Sequence, residues 1–542
     1  MEQLSRLTEL ERALIEPLAA YFAEAEVTSE SGTMEERLAR RLEQLPPAWK
    51  TRCYLMPPSM TGVSAYLMPS FTVLGLRLAG CDAFVSVYAD RERAYFETLL
   101  ASYRAIEAKG EVPPAMLFFC VIEAGMILAP WRLHWPQAAA LRETLEPILL
   151  KACREYPAHP GLAHLNCHFH EVGPQVELAR ESAEALARGI GGEDHGHLLH
   201  MAGHVLVQLG RHNESMRANM TAVIADKKAS RERGDQVFNF LGLHDQTFVI
   251  WGAMHSGQKA ICMAATREFR EALQPMQGVL AMMYHISATT SMSDVASMIF
   301  MPFLYMPYVR FGLWDELLAL PAPSQSHDIH FAFYSYARGV ALAATGNVAG
   351  AEAELSNMRS VLSHPSFEWR ELGIVSGLTI EILRVDEAWL EGEIEYRKMN
   401  YDTAFAKLRE AAELGDKLVY MEPPPVAIPP RHALGALLLE SGRVTEAEAA
   451  YREELEPTTD AKKRRPNSIW AILGLLKCLE AKGAAADPTE VESLAKQLEA
   501  AKAIAVDFEA TASCACATKG QQREVAKTSC ACAVAKEPEP LV

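Results

Sequence analysis

The sequence predicts an all-α chain of stacked helix–turn–helix units, and three observations carry that prediction. Strand signals are scarce: alternating β-branched runs bounded by turns are nearly absent, while Ala, Leu and Glu dominate at helical spacing. A helix–Gly-turn–helix pattern recurs along the chain. At 542 residues the chain is also too long for one ordinary core, which calls for several domains or an extended repeat array. Apolar residues make up 49% and charged residues 22%, the balance of a folded protein.

The N-terminus, MEQLSRLTELERALIEPLAAYF, carries charge throughout and reads as an amphipathic helix with Leu7, Leu10, Ala13, Leu14 and Leu18 on one side, not as a secretory signal. The most apolar stretch, Tyr54 to Tyr88, is interrupted by Pro57, Pro58, Pro69, Arg77 and Asp82. A membrane span needs about 20 uninterrupted apolar residues, so none is expected. The part from Met56 to Val87 fits no repeat.

The clearest repeat is HALGALLLESGRVTEAEAAYREELEP, His432 to Pro457. Gly435 stands where two helices cross, Gly442 at the turn, Ala447 and Tyr451 on the second helix, and Pro457 at its end. A small residue belongs at the crossing because a larger side chain would push the backbones apart. The pattern recurs with turns at Gly210, Gly257, Gly312, Gly346 and near Asn400, giving six copies at irregular spacing of roughly 34–55 residues. This is a tetratricopeptide-repeat (TPR)-like α-solenoid.

The expected organisation is an N-terminal helical region (1–110), histidine-rich repeats (111–320), C-terminal repeats (329–510) and a cysteine-bearing tail (511–542). Pro321–Asp328 and Glu422–Pro430 read as linkers, because proline has no N–H to donate.

A formal net charge of −17 argues against nucleic-acid or anionic-membrane partners, which need a basic face. Eleven cysteines, mostly scattered singly, fit reduced thiols in a cytoplasmic setting. No Walker A motif, GxGxxG after a strand, HExxH, GxSxG or CxxC is found, so nucleotide-dependent chemistry and the common hydrolase classes have no footing.

Nine of the 17 histidines fall between His159 and His212. With Gly203 as a crossing residue, seven before turn Gly210, His197, His200 and His204 face the concave side of the array. Aligned on Cys167, the preceding segment puts His164, His168 and Glu171 on one helix face. Turn Gly257 implies a crossing near Ile250, which turns His244 and Thr247 inward; Gly435 does the same for His432. Imidazoles so gathered can bind Zn, Cu or Fe, with His164, His168, His197, His200 and His204 as the main ligands. His159 and His244 are weaker candidates.

A single helical histidine is more often a satisfied polar group, and a cluster can also build hydrogen-bond ladders or bind an anion. His134, His212 and His255 lie near turns and read as surface residues. Glu123, Glu171, His244 and His432 are the candidate catalytic groups. Glu123, with Trp131 and Trp135, caps one end of the groove or belongs to the core. Asp386 and Glu393 lie on an inward face as ligands, bases or solvated acids; Arg338 and Arg431 can bind a carboxylate. The Cys-Ala-Cys pairs Cys514/Cys516 and Cys530/Cys532 suit soft metals such as Cu(I) or Zn, and a pair folded onto the histidines would complete a mixed site.

The segments HPGLAHLNCHFHE, GHLLHMAGHVLVQLGR, HDQTFVIWGAMHSG, VRFGLWDELLALPAP, YARGVALAATG and EPPPVAIPPRHALGALLLESGR resemble, in order, segments of a group of large bacterial-type TPR proteins. That group carries HPG-x-x-H-x-x-x-H, GH-x-x-H-M-x-x-H and HN-x-HF motifs and a CxC ending similar to TASCAC here. The resemblance runs from roughly Leu7 to Cys516. It implies an α-solenoid and a shared site at His159, His164, His168, His197, His200, His204 and His244, and no particular reaction. The sequence departs from the pattern at Thr247, where a histidine is expected, and across Met56–Val87.

Two functions follow as expectations. One is a transition metal held in the histidine-lined groove, with metalloenzyme chemistry on a small molecule. The other is a non-catalytic scaffold receiving a peptide or protein in that groove.

Overall fold

The computed structural model describes residues 82–128, 138–233, 240–286, 291–323, 328–363 and 374–517, excepting 419, 421, 425, 459, 461, 462 and 464. The predicted N-terminal amphipathic helix, most of the apolar stretch before Asp82, Trp131, His134, Trp135 and Cys530/Cys532 lie outside the described residues. Within them the chain is all-α, with no strand.

The helices are α1 (Asp82–Ala108), α2 (Ala115–Leu128), α3 (Ala139–Glu155), α4 (Pro160–Glu171), α5 (Arg180–Ala187), α6 (Gly196–Gln208), α7 (His212–Arg233), α8 (Phe240–His255), α9 (Lys259–Ile286) and α10 (Ser291–Phe311). They continue with α11 (Trp314–Leu318), α12 (Asp328–Ala344), α13 (Val348–Leu362), α14 (Ile374–Arg397), α15 (Tyr401–Lys417), α16 (Pro430–Glu440), α17 (Val444–Leu455), α18 (Ile469–Lys482) and α19 (Pro488–Ile504). No described helix is long and apolar enough to cross a membrane.

Neighbouring helices pack in pairs: α6 on α7, α8 on α9, α12 on α13, α14 on α15, α16 on α17 and α18 on α19. A second set of contacts joins the first members of successive pairs, α4 to α6, then α8, α10, α12 and α14. The predicted crossing glycines are confirmed sterically. A Cβ at Gly203 would stand 2.3 Å from Asn219 Nδ2, and one at Gly435 would stand 2.4 Å from the Tyr451 ring.

The C-terminal pairs return onto the middle of the chain. Trp470 Nε1 of α18 donates to the Met254 carbonyl of α8 at 2.8 Å. His255 Nε2 donates to the Ala427 carbonyl at 3.2 Å, and Asp507 Oδ2 accepts from Ala260 N–H at 2.5 Å. Turn residue Gly210 has φ +69°, and a Cβ there would meet the Pro466 carbonyl oxygen at 2.2 Å, so the turn and the returning chain both demand glycine. One apolar core consequently runs from Val207 to Cys516.

This closure corrects two expectations. Glu422–Pro430 is no exposed linker: Val426, Ala427 and Ile428 are buried in that core. His212 and His255 are not surface residues either. Both are buried, their rings 5.2 Å apart, because the returning chain covers the turns beside them.

Candidate metal centre

Proline at the first position of α4 fixes φ where an N–H would go unused, and so sets the helix register from its start. From there His164, His168 and Glu171 fall on one face. On α6 the absent side chain at Gly203 lets α7 close in, bringing Asn219 beside His200. Helix α8 adds His244 and Asp245, and the segment before α16 adds Tyr420 and Glu422.

Glu171 is the hub. Its Oε1 lies 2.8 Å from His168 Nδ1, and its Oε2 lies 2.6 Å from His204 Nδ1 and 3.4 Å from the Tyr420 hydroxyl, which donates to it. Glu422 Oε2 sits 3.2 Å from the same His204 Nδ1. Asn219 Nδ2 donates to the Ser215 carbonyl, which turns its Oδ1 towards His200 Nδ1 at 2.6 Å. Asp245 Oδ1 stands 3.1 Å from that nitrogen without a well-aligned hydrogen bond.

With both Nδ1 atoms facing oxygen acceptors, their protons are committed there, and the Nε2 lone pairs of His200 and His204 point at each other across 2.6 Å. Two lone pairs at that distance repel unless a proton or a metal ion lies between them, and the carboxylates beside His204 favour a second proton on its ring. His164 and His197 also meet Nε2 to Nε2, at 3.2 Å, but with no acceptor at His197 Nδ1 to fix the tautomer. The ring centroids form a continuous chain: His197 to His164 is 5.2 Å, His164 to His168 4.9 Å, His168 to His204 5.6 Å, His204 to His200 4.5 Å and His200 to His244 4.8 Å.

Burial opposes a charged imidazole at His204, but the Glu422 and Glu171 carboxylates outweigh it and push its pKa up to about 10. Burial holds His164, His200 and His244 well below the ordinary imidazole range and takes His197 down to about 3. Glu171 is buried, which opposes its charge, yet His204 and His168 keep it well below the usual carboxylate range. Burial, reinforced by the Glu171 charge, raises Glu422 to about 7.

Three overlapping ligand sets result: His164, His168 and His197; His200, His204 and His244; and His168, Glu171, His204 and Glu422. Within each set the ligand atoms lie within 4.8 Å of one another, close enough to hold a metal ion. Nitrogens bound to one tetrahedral ion at about 2.0–2.1 Å stand about 3.3 Å apart. The His164–His197 pair meets that spacing as it stands, and the His200–His204 pair meets it with a small opening. The donors also fit a metal chemically. His197 Nδ1, His244 Nδ1 and Glu422 Oε1 are buried without hydrogen-bond partners. Carboxylate and amide groups behind the imidazoles are the usual orienting shell of metal-binding histidines.

The structure gathers His164, His168, Glu171, His197, His200, His204 and His244, but encloses the inner ones. His200, His204 and Glu171 are 0–2% exposed, so the open histidine-lined groove is not observed at this point. His159 stays outside: its Nδ1 accepts from Leu162 N–H at 3.1 Å and caps α4. Thr247 Oγ1 donates to the His244 carbonyl at 2.6 Å and ligates nothing. His432 belongs elsewhere, its Nδ1 accepting from Arg310 Nη2 at 2.9 Å.

Glu123 is not among the gathered residues. Cys514 and Cys516 group with Glu393, so no mixed histidine–thiolate site forms among the described residues. Arg338 and Arg431 are occupied by the chain's own Glu354 and Asp416. Sequence reasoning missed Asn219, Asp245, Tyr420 and Glu422. The aspartate adjoins His244 and was within reach; the glutamate comes from a proline-rich segment read as a spacer.

Fold and site together define an all-α protein with an enclosed imidazole–carboxylate cluster suited to a metal ion. No protein-family model matches the chain, and no curated protein matches it.

Proposed function

We propose that the chain is a TPR-like solenoid that holds a transition-metal ion, Zn, Fe or Cu, in this cluster and acts as a metalloenzyme on a small molecule. Successive helix pairs, the stacked row of their first helices and the glycine crossings support the repeat assignment. The observation that carries the metal is the convergence of imidazoles and carboxylates in sets whose ligand atoms lie within 4.8 Å of one another, with His197 Nδ1, His244 Nδ1 and Glu422 Oε1 buried and unpartnered among them. A bound ion would supply Lewis acidity and a lowered pKa for a coordinated water.

The chain's own groups complete the chemistry. Glu171 fixes the orientation of two imidazoles at once. Glu422 brings a second carboxylate to His204, 3.2 Å from its Nδ1. His164, His168 and His197 are only half-buried and form the accessible end at which a small ligand enters. An extended peptide would need the inner histidines exposed, which disfavours the scaffold reading. The described cysteines form no disulfide, which fits a reducing, cytoplasm-like setting.

Elemental analysis of purified protein tests the proposal, comparing the parent with a His200→Ala, His204→Ala double variant. Stoichiometric metal in the parent that falls in the folded variant is expected. A parent that stays metal-free after incubation with zinc, ferrous and copper ions sinks it.

A further inference from the structure

A second group of ligands lies apart from the histidines, where Ser513–Ala517 folds into the core beside α14. Cys514, Cys516 and Glu393 are 4%, 0% and 0% exposed, with their ligand atoms within 4.8 Å of one another. The segment is firmly seated. Arg310 Nη1 donates to the Ser513 carbonyl at 2.8 Å, Ser513 Oγ donates to the His432 carbonyl at 2.8 Å, and Arg397 donates to the Cys516 carbonyl.

Three features of this pocket call for a cation bound to thiolates. Glu393 Oε2 is buried and accepts no hydrogen bond, with the Arg397 guanidinium at 3.8 Å, while Oε1 accepts from Trp389 Nε1 at 3.3 Å. The backbone N–H of Cys516 donates to Cys514 Sγ at 3.3 Å, which turns that sulfur into the pocket. Arg310 is 3% exposed, contacts the Trp470 ring, His432 and a carbonyl, and has no carboxylate at ion-pair distance among the described residues. A buried guanidinium without a counter-ion is costly. Anionic sulfur ligated beside it supplies that counter-charge.

We propose that Cys514, Cys516 and Glu393 form a second metal site, for a zinc ion held by two thiolates and one carboxylate. Copper(I) also accepts the sulfurs but is too soft for the carboxylate; zinc takes both. Two thiolates and a carboxylate carry three negative charges, of which the ion cancels two. The remaining one faces Arg310 and Arg397. The ion would pin the returning segment to α14. Binding converts two thiols and a carboxyl to their anions, with the protons released to solvent.

The test is zinc content and zinc X-ray absorption of the full chain, purified under reducing conditions and incubated with zinc alone. Sulfur scattering at about 2.3 Å is expected. One zinc per chain should disappear in Cys514→Ser, Cys516→Ser and persist in His200→Ala, His204→Ala, which separates this site from the histidine cluster. Should the double serine variant fail to fold, Glu393→Gln keeps the pocket's shape and is expected to weaken zinc binding about 10-fold or more. Zinc in the parent with no sulfur neighbour overturns the proposal. So does a Cys514–Cys516 disulfide in the freshly purified chain, or a Glu393→Gln variant that binds zinc as tightly as the parent.

Discussion

At the scale of single residues, the centre depends on the groups that orient its imidazoles. Asn219 holds one imidazole and Glu171 holds two, so each sets where a lone pair points. Asn219→Ala is expected to lower metal affinity about 10- to 100-fold, with helical content unchanged by circular dichroism. Glu123, outside the centre, has a different signature. Burial raises it from the ordinary 4.5 to about 7, so the folded state holds its proton more tightly than the unfolded chain does. Its contribution is intact below pH 4.5 and is lost as pH rises towards about 7. Glu123→Gln should therefore gain thermal stability over the parent at about pH 8 and show no gain below pH 4.5. An equal shift at both pH values would refute this. The sequence announced the imidazoles, whose spacing is local, but not Asn219, which meets His200 only because two helices cross closely.

At the scale of elements, the crossing at Gly203 joins packing to chemistry. An added methyl would strike Asn219, the residue that orients His200. Gly203→Ala is expected to cost about 1–3 kcal/mol in denaturant unfolding and to weaken metal binding in the same variant. A stability loss with metal affinity untouched would separate the two roles. Helix register was the most legible feature of the chain: the seven-residue distance from Gly203 to Gly210 put His197, His200 and His204 on one helix face, where the structure gathers them, though not on an open groove. Cap chemistry was less so. His159 sits in a histidine-rich run, but a position just before a helix-starting proline makes it a cap.

At the scale of the whole molecule, the pairs close upon themselves instead of remaining an open array. No sequence pattern could report this, since the contacts join residues as distant as Tyr420 and Glu171, 249 positions apart. Hence the buried His212 and His255 read as surface, and Glu422 read as spacer. Arg310 ties α10 to α16, α18 and the C-terminal segment at once. Arg310→Met should cost at least the about 1.5–3 kcal/mol of one hydrogen bond to a charged group, and should speed amide exchange at Cys516. Unchanged stability would mean that closure rests on apolar packing alone. Closure also dictates a birth order. Domains fold from the N-terminus as the ribosome delivers them, yet Glu422 joins His204 only after some 200 further residues have been made. A nascent chain halted before that point carries every histidine of the cluster and lacks Glu422, so the set of His168, Glu171, His204 and Glu422 is complete only once the returning segment has been made.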